Sequence, residues 1–237
     1  KEGLFSLVQM AKVSATIKRH SDKGLLYISC LTNPTMGGVT ASFGLYGDIN
    51  IAEKDSQIGF AGKSIIENLY NKVLDNDFQS EKYNENNGMI DIIADRKDIR
   101  NILIDLLKII NNNNNVVKFE KNTKNKPKTN DDLLEILKNV RDIDRFKGKD
   151  YLIDIFDKYI ELKGDRINSN DTSILSGVGY IENNSFVFNI QNKGRTLNEN
   201  KETNYGLTRP EGYRKVIRIS KLAEKFKGLE SLNISVN

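Results

Sequence analysis

Residues 31–53, LTNPTMGGVTASFGLYGDINIAE, decide how the chain is read. The apolar run Leu25 to Leu31 ahead of them is short enough for a buried strand. Pro34 and the adjacent Gly37 and Gly38 then break that pattern. Val39 to Ile51 resumes with small and apolar residues punctuated by Gly44 and Gly47. This predicts a strand, a glycine-rich bend and a following helix. Two adjacent glycines at such a bend let backbone N–H groups approach a ligand closely. Gly37 and Gly38 are therefore candidate oxyanion-hole donors, each worth about 3 kcal/mol in a dry site. The same pair also serves a tight turn without any ligand, which is the commoner use of glycine.

Outward from the bend, Leu4, Leu7, Val8 and Ala11 recur at helical spacing. Ile58 to Ala61 and Met89 to Ile93 read as strands, and Ile65 to Leu74 as a helix. Ile99, Ile102, Leu103, Leu106, Leu107 and Ile110 trace one helical stripe, opened by Asp95 and Asp98. From Asn111 to Asn130 the polar text NNNNNVVKFEKNTKNKPKTN replaces the periodicity, which predicts a linker. Its lysines at 118, 121, 124, 126 and 128 suit a solvated tether better than a nucleic-acid contact.

Beyond the linker, Leu133 to Val140 and Tyr151 to Leu162 read as helices, the second stopped by Gly164. Ile174 to Ile181 and Ser185 to Ile190 flank Glu-Asn-Asn as a hairpin, and Pro210 opens a helix with Val216, Ile219, Ala223 and Phe226 on one face. Leu232 to Val236 reads as a last strand with nothing after it to cover it.

The chain has 237 residues, 38% hydrophobic and 29% charged, which excludes collagenous and wholly disordered classes. No apolar window is long enough for a membrane span, and Lys-Glu-Gly at the start shows no signal peptide, so a cytoplasmic protein is expected. One cysteine, Cys30, and one histidine, His20, leave no zinc cluster, so no metal is expected. A net charge of +4 biases the surface weakly toward anions.

The segments SLVQMAKVSA, GLLYISCLTNPTMGGVTASFGLYGDINIAE, IGFAGKSIIE and NGMIDIIADRKDIR resemble the carboxyltransferase beta subunit of bacterial acetyl-CoA carboxylase. After the linker, DIDRFKGKDYLIDIFDKYIELKGDR, NKGR and NYGLTRPEGYRKVIRISKLAEKFK resemble the alpha subunit of the same enzyme. The resemblance implies an α/β protein of the crotonase-like (ClpP/crotonase) spiral fold. Two partial copies are expected, a beta-like domain at 1–110 and an alpha-like domain at 131–237, joined by the linker 111–130.

It also implies carboxyl transfer from carboxybiotin, held on biotin carboxyl carrier protein, to acetyl-CoA. The product is malonyl-CoA for fatty-acid biosynthesis. Biotin carboxylase and further carboxyltransferase subunits are the implied partners, with no membrane or nucleic acid. The compartment implied is the cytoplasm, or the plastid stroma in a plastid-bearing organism. The alternatives are another crotonase-type acyl-CoA enzyme, or an inactive assembly or nucleic-acid-binding fragment.

In the family, paired backbone N–H groups stabilise the developing negative charge, and Gly37 and Gly38 match the beta-subunit pair. The family's four-cysteine zinc ribbon has no counterpart here, and the alpha-like half stops short of the family's later glycine-rich loops. Lys54 stands where the family commonly has Pro, and Gln191-Asn192 where His-Gln is usual. Lys193 and Arg195 can hold phosphates or a carboxylate, or else pair with acidic residues across a subunit interface. A structural network is expected for Asp165-Arg166 and for Glu211 with Arg214, and packing for Tyr213. His20 is expected to be solvated or to cap its helix, and Cys30 to be a small buried hydrophobe. Asp48 and Asn50 either line the site or make local turn hydrogen bonds.

Overall fold

The structure, a computed structural model, describes residues 3–111, 129–142 and 144–235. Most of the expected linker, with its five lysines, lies outside them.

The first half opens with helix α1 (Leu4–Asp22). Strands β1 (Ile28–Leu31), β3 (Ile49–Glu53) and β5 (Ile92–Ala94) then build a parallel sheet in the order β1-β3-β5. Its register sets Ile28 beside Ile49 and Ile51 beside Ile92. A second parallel pair, β2 (Thr35–Met36) and β4 (Ile58–Gly59), stands apart from it. Helices α2 (Lys63–Tyr70), α3 (Glu81–Asn86) and α4 (Arg96–Ile110) complete this half. In α2 the apolar positions do not reach the core, and the helix ends at Tyr70, where Asn71 turns left-handed.

The second half contains helices α5 (Asn130–Arg141) and α6 (Gly148–Ile155) and strands β6 (Lys158–Glu161), β7 (Ile174–Ile181) and β8 (Asn184–Gln191). A short helix α7 (Leu197–Glu202), the long α8 (Pro210–Lys225) and strand β9 (Glu230–Ile234) follow. The sheet order is β6-β7-β8-β9, antiparallel except for the parallel pair β8–β9. Parallel neighbours need a crossover, and α7 with α8 provides it.

The hairpin β7–β8 and the Pro210 helix start fall where the sequence places them. The segment Tyr151 to Leu162 does not: its helix stops at Ile155, and β6 follows. Ile160 and Leu162 also stand two apart, the spacing of one strand face. Pairing with β7 sets the Phe156 and Tyr159 rings 5.3 and 6.0 Å from Phe188, so tertiary packing overrides the helical pattern.

One core serves both halves. Ile49, Ile51, Leu106 and Ile109 pack with Leu162, Val178, Val187 and Ile219. Helix α4 is the wedge between the sheets, and it buries Leu106, Ile109 and Ile110. Leu107, counted on the sequence stripe, is 45% exposed, because the face is rotated toward Ile109. Among the described residues no helix is long and apolar enough to cross a membrane.

Candidate functional site: the Gly37–Gly38 bend and the Lys193–Arg195 cleft

Strand β2 delivers the chain to the bend. The Asn33–Pro34 peptide is cis, the Asn33 side chain accepts the Gln57 N–H at 3.0 Å, and Thr35 N–H donates to Gln57 O at 2.9 Å. Gly37 has φ +62°, a conformation that a side chain would strain. Its N–H donates to Gly59 O and Phe60 O, both at 3.1 Å, which seals the bend against the end of β4. That contact needs Gly59, since a Cβ there would lie 2.3 Å from the Gln79 side chain. No helix follows the glycines. Residues 37–42 form turns that run into a single 3₁₀ turn at Phe43–Leu45, held by Ser42 Oγ donating to Gly38 O and Gly44 N–H donating to Val39 O.

The two glycines therefore have different duties. The Gly37 amide is already satisfied, while the amides of Gly38 and Val39 find no acceptor among the described residues and are exposed. Residue 39 is a donor that composition could not suggest, since any residue but proline supplies an N–H. Met10 of α1 lies beside the bend, its sulfur 3.5 Å from where a Gly38 Cβ would stand.

Lys193 and Arg195 lie in a separate cleft of 330 Å³ between the start of α6 and the start of α7. The Arg195 guanidinium clasps Asp150 through two bonds of 3.2 and 2.6 Å, and its N–H donates to Glu199 at 2.7 Å. This pairing holds the Asp150 carboxyl below its ordinary range, helped by the Lys147 N–H. The acidic partner thus comes from the same chain. Asp150 lies 45 residues from Arg195 with no local signal linking them. Lys193 is exposed and has no hydrogen-bond or ion-pair partner among the described residues.

The other polar residues hold the halves together. Asp91, fully buried in the first half, accepts from Arg166 and, at 2.8 Å, from Arg218 of the second. Asn50 N–H donates to the same carboxylate at 2.7 Å. Arg218 also donates to the carbonyls of Gly164 and Lys163. Asp48 accepts Lys225 Nζ at 2.7 Å and Tyr27 N–H at 2.9 Å, which are long-range ties, whereas Asn50 Nδ2 donates both to the nearby Leu45 O at 3.3 Å and to the distant Met89 O at 3.0 Å.

Asp165 pairs with Arg214, as a structural network requires, but Glu211 is not Arg214's partner. Burial alone would raise the Asp165 carboxyl, yet N–H groups of Ser169, Ile167 and Asn168 and the Arg214 guanidinium lower it overall. Tyr213 is 62% exposed rather than packed. It occupies the outer face of α8, one residue from the buried Gly212. Cys30 is exposed and not a core residue, because its strand turns Ser29 and Leu31 inward. His20 Nε2 lies 3.0 Å from Leu26 O, in the last turn of α1. No group of three or more metal-binding side chains occurs among the described residues.

This architecture is the crotonase-like fold of carboxyltransferase domains. Transcarboxylase 12S, a hexameric multienzyme core solved with hydrolysed methylmalonyl-coenzyme A, superposes with a TM-score of 0.68 at 17% identity over 98% of this chain and 44% of that one. A single-chain, multi-domain long-chain acyl-CoA carboxylase gives 0.59 at 15% identity, covering 94% of this chain and 21% of that one. The profile of acetyl co-enzyme A carboxylase carboxyltransferase-like proteins matches residues 89–229, and the chain belongs to that family.

Among its relatives are the acetyl-coenzyme A carboxylase carboxyl transferase subunits beta/alpha of Clostridium tetani, 43% identical over 95% of this chain, and of Natranaerobius thermophilus, 39% identical over 95%. The carboxyl transferase subunit beta 2 of Lachnospira eligens is 53% identical over 109 residues, 46% of this chain and 43% of its own length. The chain spans about 40% of the length of the beta/alpha relatives, 40% and 41% for these two.

Proposed function

We propose that the chain is a carboxyltransferase component of acetyl-CoA carboxylase, acting in the cytoplasm on acetyl-CoA to give malonyl-CoA for fatty-acid synthesis. The carboxyl donor is carboxybiotin, presented by biotin carboxyl carrier protein that biotin carboxylase has loaded. Residues 1–110 are the beta-like part and 131–237 the alpha-like part, within an assembly of carboxyltransferase subunits. The observation that carries the reading is the exposed, acceptor-free amide of Gly38 in a bend that Gly37 and Gly59 hold rigid.

When bound, the biotin group supplies a carboxyl ready for transfer. This chain's part is electrostatic: fixed amide dipoles at Gly38, with Val39 beside it, donate to an oxygen that gains negative charge, without reorganising during the reaction. A glycine at 38 leaves that amide unshielded. Gly37 fixes the direction of the donors rather than donating. Lys193 is the candidate contact for an anionic substrate group, and Arg195, held by Asp150, shapes the wall of its cleft.

The test is biotin-dependent decarboxylation of malonyl-CoA, the reverse reaction, with partner subunits added. Gly38→Pro removes the donor and is expected to lower the rate about 10² to 10³-fold. Gly38→Ala keeps the amide and sets its methyl in ordinary contact with Met10, so it should retain the rate within a few-fold. Melting curves check that both variants fold. Equal rates for Gly38→Pro and the parent would sink the reading.

A further inference from the structure

The cleft beside Lys193 holds more positive charge than the pair singled out by sequence. Lys147 and Lys149, at the start of α6, line the same 330 Å³ space as Lys193 at the end of β8. Arg195 is committed to Asp150. None of the three lysines has a carboxylate within ion-pair distance among the described residues. Lys147 reaches only the Asp142 carbonyl, at 3.5 Å.

Two of the three acids that line the cleft are occupied. Asp150 is held by Arg195, and Glu199 accepts the N–H groups of Arg195 and Thr196 at 2.7 and 3.2 Å. These bonds, with the charges of Arg195 and Lys149, keep the Glu199 carboxyl below its ordinary range. Glu202, farther along α7, also lines the cleft. Two elements distant in sequence therefore place three lysines without a carboxylate partner around one concavity. A phosphate, with several acceptor oxygens and up to two charges, is the chemistry that suits such a set.

We infer that Lys147, Lys149 and Lys193 form a binding site for a phosphate-bearing ligand in the cleft between α6 and α7. The inference rests on reading Lys193 as an anion contact, and it stands apart from the carboxyl-transfer step. Two sources share this chemistry: the phosphorylated nucleotide end of an acyl-CoA, and free phosphate.

The experiment titrates the full chain into adenosine 3′,5′-bisphosphate, and separately into inorganic phosphate, following the ³¹P signals. Binding is expected to weaken at least about tenfold when all three lysines become glutamine, each lost ammonium removing a charge-assisted contact. Lys221→Gln, which removes one charge from the exposed face of α8, is expected to alter binding by less than about twofold. Preference for the bisphosphate supports the nucleotide end, and equal binding of both supports a site for the phosphate group itself. No perturbation of either ³¹P signal overturns the proposal, as does an equal loss in the triple variant and Lys221→Gln. Because no turnover is measured, a failure of malonyl-CoA decarboxylation with binding intact would count against the transfer reading alone.

Discussion

The Gly37–Gly38 bend and the Asp91 junction treat polar groups in opposite ways. At the bend, a satisfied Gly37 amide holds an unsatisfied neighbour at the surface, where solvent or a ligand can complete it. At the junction, a fully buried carboxylate takes two guanidinium groups and a backbone N–H, which closes the interface between the halves. Burial explains the difference. An unpaired polar group is tolerable where water reaches it and costs several kcal/mol where water does not. The bend thus keeps a donor open at the surface, and the junction ties the two halves together.

The sharpest way to break this contrast is Asp91→Asn. Removing the charge leaves Arg166 and Arg218 uncompensated in a buried setting, with an expected stability loss of about 3–5 kcal/mol by urea denaturation. Leu106→Ala attacks the same interface through packing and should cost about 2–5 kcal/mol in the same measurement. Gly38→Ala, at the exposed bend, should leave the denaturation midpoint unmoved. A comparable loss there would mean that the bend is a folding element like the junction.

Lys215 sharpens the comparison through pH. It is 1% exposed, and Nζ donates to Asn170 Oδ1 and to the carbonyls of Asp171 and Ile174 at 2.9, 2.5 and 2.6 Å. Burial pushes its pKa down to about 8, against the raising effect of Glu161 and Asp171. Between about pH 8 and the ordinary lysine value of 10.5, the unfolded chain binds the proton that the folded one has released. Stability from this group therefore rises with pH across that window, by roughly 3 kcal/mol at its upper end. Urea midpoints from pH 7.5 to 9.5, taken as the difference from Lys215→Met, should show the slope. A flat difference would mean that the three acceptors hold the ammonium charged throughout.

The smallest effect is expected at the half-exposed clasp in the cleft. Arg195→Met, which removes the ion pair and leaves Asp150 bonded to the Lys147 N–H, should leave the melting temperature within about a degree, since exposed ion pairs contribute little. A larger drop would place this clasp with the Asp91 junction.

Much of the fold was legible, and the misses share a cause. The hairpin, the Pro210 start of α8 and the α4 stripe follow from turn chemistry and periodicity, which are local. The helix expected over Tyr151 to Leu162 failed because its apolar residues satisfy two periods at once, and pairing with β7 chose between them. The bend itself was legible from two adjacent glycines. Which amide stays free was not, because that depends on Gly59 and Phe60, more than twenty residues later. Asp91 carried one sequence signal, a charge set between Ile90 and Ile92, but nothing local names its two arginines.

By itself, the sequence determined the family, the bend and most elements, since these depend on motifs and on residues within a few positions of one another. Tertiary structure alone decided that both halves share one core, that Gly37 braces while Gly38 stays available, and that Lys147 and Lys149 join Lys193. Hydrogen bonding and burial act between neighbours in space, and at these sites the neighbours lie tens of residues apart along the chain.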